Sequence, residues 1–106
     1  MSVVTTVIIS GYLTDDERKY VSDFEHRGER LPFTRLDPCG AAGGKCAEVD
    51  LRWGAHNYFD HEAFLDHLDA KQDWYEVSEI VVIVSSSDIG FTTVWRPGSR
   101  DHRSEV

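Results

Sequence analysis

The chain has 106 residues and a mass of 12.1 kDa, the length of one domain and enough to bury a core without a disulfide or a metal. Its 19 acidic against 11 basic residues leave a formal net charge of −8, which argues against binding a nucleic-acid backbone and against a polybasic membrane-surface role. No apolar run is long enough for a transmembrane helix, and the start MSVVTTVIISGYL lacks the basic region of a secretory signal, so a cytoplasmic protein is expected.

Residues 3–10, VVTTVIIS, are β-branched almost throughout and apolar on both alternating faces, the pattern of a central strand. Gly11 and Tyr12 turn the chain. Thr14, with Glu17 three residues later, then forms the capping box of a helix, and Asp15 and Asp16 sit where the helix dipole favours carboxylates. Tyr20, Val21 and Phe24 make its apolar stripe, and Gly28 supplies the stop. Residues 31–38, LPFTRLDP, read as a short edge strand, because Pro32 removes a backbone donor. A glycine-bearing loop leads into CAEVDLRW, a half-buried strand with Val49, Leu51 and Trp53 on one face and Glu48, Asp50 and Arg52 on the other.

The second helix is expected over YFDHEAFLDHLDAKQDW. Asp60 is its N-cap, Phe59 can staple against Phe64, and Phe64, Leu65 and Leu68 face inward. Ile80 to Val84 is again apolar on both faces, Ser85, Ser86 and Ser87 read as turn residues, and Phe91 to Arg96 alternates up to Pro97. The polar residues 98–106 are expected to form a frayed C-terminal tail.

The order β-α-β-β-α-β-β predicts an α+β domain over residues 1–97. Its first six elements follow the split β-α-β pattern of a ferredoxin-like sandwich, with an extra C-terminal edge strand. Two helices then cover one face of a mostly antiparallel five-stranded sheet, with the first and fourth strands side by side near its centre. Both faces of those strands carry apolar side chains, so the uncovered face is expected to form a homodimer through the sheet.

Several chemistries are weak on these residues. The segment CGAAGGKC matches only the second half of a phosphate-binding loop and leads into a strand, where such a loop leads into a helix. Cys39 and Cys46 are expected to be reduced thiols in a cytoplasmic protein. With His56 and His61 they are the candidates for a metal-binding module, but their spacing is wider than that of structural zinc sites, so no metal site is assigned. His67 is expected on the charged face of its helix. No cofactor is implied by any motif.

The acids carry more information. From Asp60 to Glu79 there are seven carboxylates against the single base Lys71. On a helix Glu62, Asp66, Asp69 and Asp73 fall on one stripe, with Trp74 at its end as an interface anchor. The reading is a small acidic, non-enzymatic protein-interaction module that docks a basic partner through this strip. A regulatory or accessory protein of a phage or other mobile element has this size and charge. The alternative is a small-molecule enzyme or ligand sensor, built as a dimeric ferredoxin-like barrel, whose site draws on Trp53, His56, His61 and Trp95.

Overall fold

The computed structural model describes residues 4–26, 29–30, 33–36, 50–57, 59–86 and 90–104. β1 (Val4–Ser10) leads through Gly11 into α1 (Asp15–Ser22), and β2 (Glu25–His26) pairs with β3 (Glu29–Arg30) as a small hairpin. β4 (Thr34–Arg35), β5 (Leu51–Asn57) and α2 (His61–Ala70) follow, then β6 (Val81–Ser86), β7 (Phe91–Arg96) and β8 (Ser99–Ser104). The main sheet has six strands in the order β4-β5-β1-β6-β7-β8, and every neighbouring pair is antiparallel. β1 lies beside β6, as the shared two-sided apolar pattern of these segments requires.

The capping box of α1 is present in full. Thr14 Oγ1 accepts from the Glu17 backbone N–H at 3.2 Å, and Glu17 Oε1 accepts from the Thr14 N–H at 2.9 Å. The helix stops earlier than expected, at an Asp23 cap whose N–H donates to the Lys19 carbonyl. Its apolar stripe ends at Phe24, so a longer helix would have gained no packing to support its next turn. Gly28, the expected stop, lies outside the described residues.

Gly11 turns the chain at φ +116°, with its N–H donating to the Asp50 carbonyl at 2.9 Å. A Cβ there would stand 2.7 Å from the Glu79 carbonyl oxygen, so both conformation and space require glycine.

Alternation along the ladders divides the sheet into two faces. Thr5, Val7, Ile9, Gly54, His56, Val82, Val84, Phe91, Thr93 and Trp95 lie on the covered face. Val21 of α1, Phe64, Leu65 and Leu68 of α2, and Leu13, Phe59, Trp74 and Ile80 from the connections complete one core with its apolar members. Phe24 joins it edge-on, with ring centroids 5.9 Å from Phe59 and 5.4 Å from Phe64. The expected staple is also in place, the Phe59 and Phe64 rings being 5.3 Å apart.

Four further expectations change. The strand expected over 46–53 runs at 51–57, and its inward face carries Gly54 and His56, with Trp53 on the open side; Val49 and Cys46 lie outside the described residues. Ser85 and Ser86 belong to β6 and form no turn. The second helix ends at Ala70, so Asp73 and Trp74 are not helical. Residues 99–104, expected to fray, pair with β7 over its whole length as a sixth strand. Pro97-Gly98 closes that hairpin, with Gly98 at φ +85°, the conformation a tight Pro-Gly turn demands at its glycine. Among the described residues no helix is long and apolar enough to cross a membrane.

Candidate functional site

Helix α2 is anchored by its sequence. Asp60 caps it, Oδ1 accepting from the Ala63 N–H at 3.1 Å, and Phe64, Leu65 and Leu68 are buried in the core. Burying that stripe leaves Glu62, Asp66 and Asp69, at intervals of four and three, on the exposed side. Three of the four expected strip carboxylates therefore share one helix face.

The fourth does not. At Lys71 the chain leaves the helix in an extended conformation, which lets Trp74 turn back into the core. Trp74 is 5% exposed, packs edge-on against Trp95 with centroids 5.6 Å apart, and donates its indole N–H to the Lys71 carbonyl at 2.9 Å. The exposed anchor expected of Trp74 is corrected to a core side chain. Asp73 sits in the segment after the helix and pairs with Lys71 at 2.9 Å. The Lys71 hydrogen bond and charge hold the Asp73 carboxyl below the usual carboxylate range, and the same bond holds the Lys71 amine above its usual value.

Asp69 has a second task. Its Oδ1 accepts from the buried Trp95 indole N–H at 2.7 Å, so the C-terminal end of the strip is tied to β7. Beside it opens a cleft of about 560 Å³ between the end of α2 and the β7–β8 turn, lined by Asp69, Lys71, Trp74, Val77 and Pro97 among others. Its volume falls within the range of small-ligand and peptide-side-chain sites. Sequence reasoning missed this cleft, because it forms where Pro97-Gly98 folds β8 back beside the helix end. The Pro-Gly dipeptide is the signal that could have located it.

The alternative set is dispersed. Trp53 lies on the open face and His56 on the covered face, since residues an odd number apart on one strand point oppositely. His56 packs against the Phe33 and Phe59 rings at 6.0 and 5.2 Å. His61 stacks on Phe91 with centroids 4.0 Å apart, and Trp95 is fully buried against Trp74. None of the four lines the cleft beside Trp74 or the smaller cavity under α1.

Comparison with family models, with curated proteins and with solved structures found no match. The site is therefore read from its own geometry. His67, expected on the charged face, instead stacks on Tyr20 at 4.1 Å and donates from Nε2 to the Tyr20 carbonyl at 2.6 Å. Among the described residues no three His, Cys, Asp or Glu side chains gather as a metal-ion site; Cys39 and Cys46 lie outside them.

The open face differs in kind. Register places Trp53, Ile8, Ile83 and Val94 in one row across four strands, with Leu51 and Val81 in the next. Trp53 is 41% exposed and the other five are half-buried. Thr6, Ser10, Ser85 and Thr92 occupy neighbouring positions. The one charged group among the described side chains of this face is Arg96, at the end of β7.

Proposed function

We propose that this protein is a non-enzymatic interaction module that docks a basic protein partner along the outer side of α2. The reading rests on one observation: Glu62, Asp66 and Asp69 line a single exposed helix face that runs into the cleft beside Trp74. Carboxylates spaced by one helical turn suit a partner presenting Lys or Arg at a matching repeat, and a long basic side chain fits the cleft where the strip ends. Attraction at exposed charges acts mainly on the rate of encounter, so the docking is expected to weaken with salt.

The test is a titration of a short Lys/Arg-rich peptide into the protein, followed by calorimetry. Glu62→Lys with Asp66→Lys is expected to abolish binding in a folded protein. Unchanged affinity overturns the reading. Asp69 is left intact in this variant, because its removal also strips the Trp95 indole of its acceptor.

The strand order and all-antiparallel pairing support a ferredoxin-like sandwich extended by β7 and β8. The same framework supports a homodimer through the open sheet face. A second copy is the occupant that suits this surface best. In a chain of net charge −8, the face is apolar along its central rows, formed by Ile8, Ile83 and Val94 with Trp53 and by Leu51 with Val81. Two copies can bury those central rows against each other there, while both acidic helices stay outside. Native mass spectrometry of the wild type is expected to report a dimer and of Ile83→Lys a folded monomer; a monomeric wild type overturns the pairing.

A further inference from the structure

Under α1 lies a smaller cavity of about 90 Å³, formed by Ile9, Leu13, Val21 and Phe33 together with Arg18 and Arg52. Arg52 projects from β5 onto the covered face of the sheet, opposite Ile9. Its Nη1 is buried and meets no acceptor among the described residues. This is an unusual state for a guanidinium nitrogen, because a buried donor left unpaired costs about 1–3 kcal/mol and more when it is charged.

The surrounding charges deepen the imbalance. Arg18 lines the same cavity, donating from Nη1 to the Leu13 carbonyl at 3.0 Å and pairing through Nη2 with Asp15. Arg35 is the next cation, and Asp50, the acid beside Arg52, is taken by Arg35 at 2.8 Å. Burial, and then Arg18, push the Arg52 guanidinium below its ordinary value, as expected for a cation short of negative charge. Ser22 adds a hydroxyl at the rim.

We propose that this cavity is a binding site for a small oxyanion of phosphate size, held by Arg52 Nη1 and the Arg18 guanidinium with the Ser22 hydroxyl as a further donor. Guanidinium groups pair with oxyanions through several N–H donors at once, and the apolar walls strengthen such pairing by excluding water. The anion supplies the acceptor that Arg52 Nη1 lacks among the described residues and separates two cations that otherwise repel. The site lies under α1 and is distinct from the acidic strip on α2.

The test follows the melting temperature of the purified protein against inorganic phosphate, with sodium chloride at matched ionic strength as the control. A saturable rise with phosphate that chloride does not produce is expected, and equal responses to the two salts overturn the proposal. In Arg52→Met the phosphate concentration at half effect is expected to increase about tenfold or more, the scale of one lost charge-assisted hydrogen bond. Arg52→Met in the absence of phosphate is expected to melt no lower than the wild type, since it removes a buried donor that meets no acceptor among the described residues. A lower melting temperature with an undiminished phosphate response assigns Arg52 a packing role and overturns the site. Arg18→Gln, on the protein surface side of the cavity, provides a second variant with the same expected loss of response, and the wild-type comparison of the two salts stands without either variant.

Discussion

The two faces of the sheet are built from nearly the same residue types and come to opposite ends. On the covered face Val7, Ile9, Val82 and Val84 are buried beneath both helices, while on the open face Ile8, Val81, Ile83 and Val94 remain half-exposed. In β1 and β6 the difference does not lie in the strands, which carry β-branched residues to both sides. It lies in what the connections bring. Phe24, Phe59, Phe64, Leu65, Leu68 and Trp74 all arrive on one side, because helices linked to strands on a single side of a sheet can cover only that side.

The comparison is sharpest in the cost of truncation. Phe64→Ala is expected to destabilise the protein by about 3–5 kcal/mol, the value for a fully buried aromatic ring, and Ile83→Ala by about 1 kcal/mol. Urea unfolding of the two variants at one protein concentration measures both, and equal losses would break the distinction between the faces.

Next in size is Glu17, the buried acid of the covered side at 2% exposure. Its Oε1 caps α1, and its Oε2 accepts from the Tyr75 N–H at 2.7 Å, tying the helix to the segment behind α2. Glu17→Ala is expected to cost about 2–4 kcal/mol and Glu17→Gln about half of that, because glutamine keeps an acceptor. Amide exchange at Tyr75 reports the second bond directly.

Gly11→Ala comes third. The substitution forces a Cβ against the Glu79 carbonyl at a positive φ, for an expected loss of about 1–3 kcal/mol by thermal unfolding.

The smallest effect belongs to the exposed pair Lys71–Asp73. The Asp73 carboxyl is held below its unfolded value, so the contribution of the pair is present above the unfolded carboxyl pKa and is lost as pH falls through the folded one. Carboxyl NMR titration is expected to show Asp73 returning to the ordinary carboxylate range in Lys71→Met, with no measurable change in stability at neutral pH.

The helix starts and the β1, β6 and β7 strands are legible in local sequence. The Thr14/Glu17 capping box, the Asp60 cap and the Phe59–Phe64 staple each involve residues within five positions of one another, so their geometry follows from the helix itself. The alternation of β1, β6 and β7 is equally local, and it located those strands because the period of a side chain on a strand does not depend on its neighbours.

Elsewhere, residues distant in sequence decide the outcome. Trp74 looked like an exposed anchor because an aromatic after a charged helix carries no mark of which way it turns. Its burial depends on Trp95, on a strand more than twenty residues away, and on the chain leaving the helix at Lys71. Asp69 looked interchangeable with Asp66, yet the Trp95 indole needs an acceptor and only Asp69 meets it. Trp53 and His56, expected to line one site, are separated by the parity of their strand.

Helix caps, turn glycines and strand period are thus properties of the chain over a few residues, settled by backbone geometry and side-chain chemistry before any packing occurs. The choice of buried face, the cleft beside Trp74 and the burial of Arg52 Nη1 away from any acceptor among the described residues arise only when strands and helices close on one another. Burial then decides which polar groups keep water and which must find a partner inside the protein.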